Sequence, residues 1–385
     1  MQNKTNLYNL TRDEMETFVV TLGQPRFRAK QLWGWLYRQF VTSFDEMRNL
    51  PKAFRSTLAE QATLGTLQQV AEIRSSDGQT KKWLLELPDN EKIEAVLMRY
   101  KARQTACISV QVGCAYACAF CATGRMGLVR NLTAGEIVSQ VVHLEQVLQP
   151  YKKKDDTHAL TNIVFMGMGE PLANYKQMLK AIGILNDKKG LNLGARRMTL
   201  STVGLVPAIR DLAKEPMQVN LAVSLHSPID KIRSELVPIN KQYPIATLME
   251  AVRHYIRQTG RRVTFEYAMI NDINDTAEQA HRLGRLIKDM QVHVNMIPLN
   301  PVPGSPWPAS DPQRIDAFAE ILTSYGISAT VRMRRGIDVA AGCGQLYAAI
   351  EGRGRSIVPI DDYPSKKKVD QVVRQRNLIK RVPIG

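Results

Sequence analysis

The sequence predicts an α/β protein: six short parallel strands with helical crossovers forming an incomplete barrel, a small N-terminal accessory domain before it and a basic C-terminal tail after it. Three observations point there. From about residue 105, short β-branched or apolar runs alternate with helical patterns at the spacing of repeated βα units. The first hundred residues follow another pattern, helices and then a hairpin. From Arg353 to Gly385, nine basic side chains stand against three aspartates.

In chain order, apolar periodicity over residues 12–22 and 28–40, and a shorter stretch after Pro51, predicts three helices. Residues 81–87 and 92–98 read as strands, and Ser75-Ser76-Asp77-Gly78 before them carries the Asp-Gly signal of a hairpin turn. These elements make up the accessory domain, residues 1–98, expected to bind RNA. Within it Arg26, Phe27, Arg28, Lys30, Trp33, Trp35, Tyr37 and Arg38 interleave bases and aromatics, as a nucleic-acid-binding helix could, although core packing explains the tryptophans equally well. The core, residues 99–335, is expected to place strands at 105–112, 162–166, 197–202, 219–224, 263–269 and 293–297. Thr133-Ala134-Gly135-Glu136 reads as a capping box opening a helix that runs to Leu148. Residues 336–385 form the C-terminal segment.

Composition narrows the class. The 385 residues are 44% hydrophobic and 6% aromatic, ordinary for a globular protein with a substantial core. No run approaches the length that spans a bilayer, and the polar N-terminus does not read as a leader, so a cytoplasmic protein without a membrane partner is expected. Five cysteines, concentrated in one loop, are not a secreted disulfide framework. A formal charge of +16 calls for a polyanionic partner, most simply nucleic acid, and the basic tail fits phosphates.

The chemistry-bearing residues gather at the ends of the predicted strands, where parallel βα units put their functional loops. Cys114, Cys118 and Cys121 have C-x3-C-x2-C spacing. Three thiolates can fill three corners of a 4Fe-4S cluster and leave one iron open to a small molecule. The alternative is zinc, with Cys107 as fourth thiolate and the chain a non-catalytic RNA-binding protein. Structural zinc sites, however, usually pair two knuckles across a gap, whereas here three ligands crowd one loop and Cys107 lies upstream on a predicted strand. Phe120 can pack on an adenine-bearing ligand or serve as plain packing. After the second barrel strand comes Met166-Gly167-Met168-Gly169-Glu170-Pro171, where glycines admit a ligand close to the backbone and a carboxylate could hold an amino group. Ser201 and Thr202 end the third strand, Ser224-Leu225-His226 the fourth, and Asn300 follows the sixth.

This pattern resembles the radical SAM superfamily and, from about Leu7 to Leu346, the RlmN/Cfr adenosine methyltransferases. The residues that carry the likeness are Gln111-Val112-Gly113-Cys114 with the triplet, Gly169-Glu170-Pro171, Leu200-Ser201-Thr202, Ser224-Leu225-His226 and Cys343-Gly344-Gln345-Leu346. The resemblance implies a radical SAM barrel, a cluster on the triplet, and S-adenosylmethionine held by Gly169, Glu170, Ser201, Ser224, Leu225, His226 and Asn300. It further implies that Cys343 is methylated and that a 5'-deoxyadenosyl radical then takes hydrogen from that methyl group. Addition to an adenine carbon follows, and Cys107 releases the adduct by forming a disulfide with Cys343. Glu94 matches the residue that accepts the ring proton.

The implied substrates are adenosine in 23S rRNA at the peptidyl transferase centre and the adenosine 3' of the anticodon in tRNA, methylated at carbon 2. The resistance-type branch of the same family methylates carbon 8 instead. A monomer and an external electron donor such as flavodoxin or ferredoxin complete what the resemblance implies.

Overall fold

The computed structural model describes residues 4–65, 67–152, 158–302, 305–332 and 334–346. The basic tail from Arg353 onward lies outside the described residues.

Three helices open the chain: α1 (Arg12–Thr21), α2 (Phe27–Gly34) and α3 (Lys52–Gln61). A capping box starts α1, with Glu14 N–H donating to Thr11 Oγ1 at 3.3 Å and Thr11 N–H donating to Glu14 Oε2 at 2.7 Å. Past α2 the chain widens into a π turn, Trp35–Gln39, that ends on Phe40 in the left-handed region. Trp33 and Tyr37 from this stretch are buried against each other, ring centroids 4.5 Å apart, and Tyr8 packs on Tyr37. Core packing therefore accounts for these two aromatics, while Phe27 stays on the surface beside Arg28. The helices are bonded to the rest of the fold: Gly135 N–H donates to Asn9 Oδ1 at 2.9 Å and Gln146 Nε2 to the Phe40 carbonyl at 2.9 Å.

A meander follows, β1 (Gln68–Arg74), β2 (Thr80–Glu86), β3 (Lys92–Tyr100) and β4 (Arg103–Cys107), antiparallel throughout. The expected turn at Ser75–Gly78 is present, with Gly78 N–H donating to the Ser75 carbonyl at 2.9 Å. A separate hairpin, β5 (Gln111–Cys114) and β6 (Gly127–Asn131), comes next, with the short α4 (Ala122–Met126) between them. The strand expected at 105–112 is thus broken: β4 stops at Cys107 and β5 leaves the main sheet. Ser109 secures the break, its hydroxyl donating to the Glu94 carbonyl and its N–H to Gln140 Oε1.

From here the βα alternation takes over. It runs α5 (Ala134–Leu148), β7 (Asn162–Phe165), α6 (Tyr175–Asn186), β8 (Met198–Thr202), α7 (Val206–Leu212), β9 (Asn220–Ser224), α8 (Asp230–Leu236), α9 (Ile245–Thr259), β10 (Val263–Met269), α10 (Ala277–Ile287), β11 (Val292–Pro298), α11 (Pro312–Ser324) and β12 (Ser328–Val331). The capping box of Thr133 and Glu136 starts α5 as expected.

Among the described residues the main sheet has ten strands, in the order β12-β11-β10-β9-β8-β7-β4-β3-β2-β1. Seven, β4 and β7 to β12, are parallel, the expected six plus β12 at the edge. Because β3 pairs directly with β4, Val96 opposite Cys107, the sheet is continuous across the domain boundary expected at residue 98, which falls inside β3. Leu221, Val223, Phe265 and Val294 are wholly buried, and side chains of this size each contribute about 1.5–3 kcal/mol to folding. No helix among the described residues is long and apolar enough to cross a membrane.

Candidate functional site

The cysteine loop is set by the hairpin that carries it. Gly113 has φ +73°, and a Cβ there would lie 1.8 Å from the Gly127 carbonyl oxygen, so only glycine permits the β5–β6 pairing that delivers Cys114. Cys121 N–H bonds back to the Cys118 carbonyl at 3.0 Å. Two distant segments fix the loop: Ala119 N–H donates to the Leu236 carbonyl at 3.0 Å and Ala122 N–H to the Gly344 carbonyl at 2.7 Å. Cys118 is buried among Leu236, Val237, Ala268, Ile270 and Leu299. Burial pushes all three thiols up, Cys114 to about 12, and a cationic group among them would reverse this by binding thiolates. Among the described residues no three His, Cys, Asp or Glu side chains group closely enough to hold a single ion. A cuboidal cluster, which takes each thiolate on a separate iron, does not require that. Cys107, which a four-thiolate zinc site would need, lines a different cavity from Cys118 and Cys121.

Above this loop a cavity opens at the C-terminal ends of β7 to β11. Gly169, Glu170, Ser201, Ser224, His226 and Asn300 all line it, together with Phe120 and Cys343. Gly169 has φ +96° and its missing Cβ would sit 2.4 Å from Gln111 Cβ. Gly169→Ala should cost about 1–3 kcal/mol from the backbone alone and close the turn against its ligand. Thermal unfolding and S-adenosylmethionine binding to the reconstituted protein, measured together, check this: both should fall.

Glu170 has a structural task that the sequence does not announce. Its carboxylate accepts Val203 N–H at 2.8 Å and Leu172 N–H at 3.0 Å, bracing the glycine turn against the end of β8. Burial raises its carboxyl to about 7, and those two N–H groups work against the rise.

His226 sits at φ +57° with its ring edge-on to Phe120, centroids 4.8 Å apart. Ala268 N–H donates to His226 Nδ1 at 2.9 Å, which puts the ring proton on Nε2. Burial, aided by the Arg233 charge, lowers its pKa from 6.5 to about 3. A histidine held neutral contributes stability that is complete above pH 6.5 and is lost as pH falls toward 3, by an amount on the order of a few kcal/mol. Unfolding of His226→Gln followed from pH 7 to pH 4 should therefore show a shallower loss than the parent protein.

Leu225 is the exception among the expected binding residues. Its side chain is fully buried in the core and does not line the cavity; its N–H goes to the Glu266 carbonyl and its own carbonyl to Arg233 Nε.

Cys343 stands on the wall between this cavity and a second, smaller one. Met98, Tyr100, Cys107, Arg332, Arg334 and Arg335 are among the residues lining the second space. Asn300 Nδ2 donates to the Cys343 carbonyl at 3.0 Å, Gln345 Nε2 to the Pro301 carbonyl at 2.7 Å, and Thr123 Oγ1 to the Leu346 carbonyl at 2.6 Å. The loop carrying Cys343 is therefore tied both to the cysteine loop and to the end of β11. Asn300 Oδ1 is buried without a partner among the described residues, a free acceptor at the same wall.

Glu94 does not line either cavity. It lies two residues from Val96, the partner of Cys107, on the same face of β3, and it is buried. Lys82 Nζ is 2.9 Å from Glu94 Oε1 and also donates to the Ala340 carbonyl at 3.3 Å, so this pair joins β2 and β3 to the Cys343 loop. Sequence reading misses Lys82, Arg233 and Arg332, because each acts through partners distant in the chain or through backbone carbonyls.

Comparison with known proteins agrees with this architecture. The profile of the ribosomal RNA large subunit methyltransferase N-terminal domain matches residues 5–64, and that of the radical SAM superfamily matches residues 108–284. The dual-specificity RNA methyltransferase RlmN 1 of Myxococcus xanthus is 48% identical over 354 residues, 92% of this chain and 97% of its own length. A probable dual-specificity RNA methyltransferase RlmN of Chloroflexus aurantiacus is 46% identical over 97% of each chain. The chain belongs to the RlmN family of radical SAM RNA methyltransferases. A crystal structure of a radical SAM methyltransferase from Sphaerobacter thermophilus superposes with a TM-score of 0.86 at 50% identity, covering 89% of this RlmN-family chain and 99% of that one.

Proposed function

We propose that this RlmN-family enzyme methylates carbon 2 of adenosine, in 23S rRNA at the peptidyl transferase centre and in tRNA 3' of the anticodon, with Cys343 as the methyl carrier. The observation that carries the reading is the position of Cys343 on the wall shared by two cavities, with Cys118 and Cys121 at one and Cys107 at the other. A carrier has to meet a methyl donor on one side and a nucleobase on the other. The donor cavity is lined by Gly169, Ser201, Ser224, His226 and Asn300, and these would hold S-adenosylmethionine. The three thiols of the loop fit a 4Fe-4S cluster with one iron open, which when bound supplies the electron that opens the donor's sulfonium bond.

On the other side, Arg334 and Arg335 suit the phosphates of an unstacked nucleotide. Cys107, lining the same cavity, would displace Cys343 from the base by disulfide formation. Glu94, held by Lys82 beside the Cys343 loop, would accept the ring proton. The relatives at 46–48% identity are named dual-specificity RNA methyltransferases, which supports two RNA substrates.

The test is incubation of the anaerobically reconstituted protein with unmodified 23S rRNA fragments and, separately, unmodified tRNA, followed by nucleoside mass spectrometry. 2-Methyladenosine from both is expected, with binding that weakens steeply as salt rises. 8-Methyladenosine would assign the chain to the resistance-type branch instead.

A further inference from the structure

Arg332 belongs to none of the motifs that identify the family, yet it contacts the Cys343 sulfur. Its Nη1 donates to Cys343 Sγ at 3.5 Å. The backbone holds it in place: it follows β12 directly, and its N–H donates to the Met296 carbonyl on β11 at 2.8 Å. Cys343 is thus held at its sulfur by a guanidinium anchored to the sheet edge and at its carbonyl by Asn300.

The charge balance around Arg332 is unusual. The neighbouring carboxylate, Glu266, lines the donor cavity and accepts from Asn295 Nδ2 at 2.8 Å. Among the described residues Arg332 forms no ion pair. The group that does most to raise its guanidinium above the ordinary range, against burial, is Cys343, ahead of Glu266. Arg332 is half-buried, and an anion brought to its guanidinium gains a charge-assisted hydrogen bond.

We propose that Arg332 is the positioning residue of the methyl-loading step, holding the Cys343 sulfur at the wall between the cavities and balancing its negative charge as it attacks the donor's methyl carbon. This rests on the reading of Cys343 as the methyl carrier. In that step the sulfur–methyl bond forms on Cys343 and the methyl–sulfonium bond of S-adenosylmethionine breaks. The electron pair stays with the leaving S-adenosylhomocysteine, and the thiol proton goes to solvent through the open cavity. Arg332 gives up neither proton nor electron, so its whole effect falls on the geometry and charge of the attacking sulfur.

The experiment loads the reconstituted holoenzyme with S-adenosylmethionine carrying a 13C methyl group, without RNA, and follows label on the Cys343 peptide by mass spectrometry. Charge-assisted hydrogen bonds of this kind predict that Arg332→Met loads about 10- to 100-fold more slowly, with iron, sulfide and donor binding unchanged. Arg332→Lys, which keeps the charge, should recover part of the rate, and Arg332→Gln, which keeps only a neutral donor, should recover less. Loading of Arg332→Met and Arg332→Gln at the parent rate would overturn the proposal. If the methionine variant lost its cluster, the lysine and glutamine variants decide: equal rates for the two would also overturn it. Absence of label on Cys343 in the parent protein would remove the carrier reading itself, a failure distinct from normal loading in the variants.

Discussion

Cys343→Ala forms no methylated RNA, a loss of at least about 1000-fold as expected for removal of a covalent nucleophile, while retaining its iron, its sulfide and the ability to cleave S-adenosylmethionine. The contrast follows from where the loop's anchors are. Asn300 bonds the backbone carbonyl of residue 343, and Gly344 and Leu346 bond the cysteine loop through their carbonyls, so deleting one sulfur removes the Arg332 contact but leaves these backbone ties in place. Cys114→Ala has the opposite profile, losing the cluster and with it donor cleavage, because its thiol is one of the three the loop presents. Anaerobic iron and sulfide analysis beside a product assay separates the two. Methylated RNA from Cys343→Ala would remove the carrier from the mechanism.

Cys107→Ala is expected to stall with RNA attached to the protein. Its neighbours show why the thiol serves late and slowly. It lies on β4 opposite Val96, fully within the fold, and burial, then the nearby Cys343, push its thiol up to about 12. A raised thiol attacks only as the small thiolate fraction, which grows with pH up to that value. In the parent protein the lifetime of the RNA–protein adduct should therefore shorten as pH rises from 6 to 9. In Cys107→Ala the adduct should accumulate at every pH, seen as an RNA-bearing band on a denaturing gel. Normal turnover without such a band would assign release to another group.

Much of the fold is legible in the amino-acid sequence alone. The parallel strands announce themselves because strands covered on both faces are nearly continuous apolar runs, as in Leu221-Ala222-Val223, and Thr133 with Glu136 marks the start of α5 unmistakably. Two edge strands escape this reading. β1 is exposed along almost its whole length and β12 likewise, so neither carries the burial that makes a pattern. The boundary expected at residue 98 falls inside β3, which pairs with β2 on one side and β4 on the other, a long-range fact with no local signature.

In the site, thiols spaced on one loop are visible in sequence, and their burial beside Leu236 and Gly344 is not. Arg332 shows the limit most clearly. Nothing around it in the chain suggests a functional residue, and its meaning comes from a sulfur eleven positions on that the fold turns back against it.

The central claim is that the methyl group reaches adenine carbon 2 by way of Cys343. It is tested most directly by a chase. The holoenzyme is first loaded with a 13C methyl group on Cys343, freed of excess donor, and then given unmodified RNA, unlabelled S-adenosylmethionine and a reductant for a single turnover. The account predicts adenosine carrying the 13C carbon at position 2 and Cys343 stripped of label. Product that carries only the unlabelled methyl group, with the 13C still on Cys343, would contradict it.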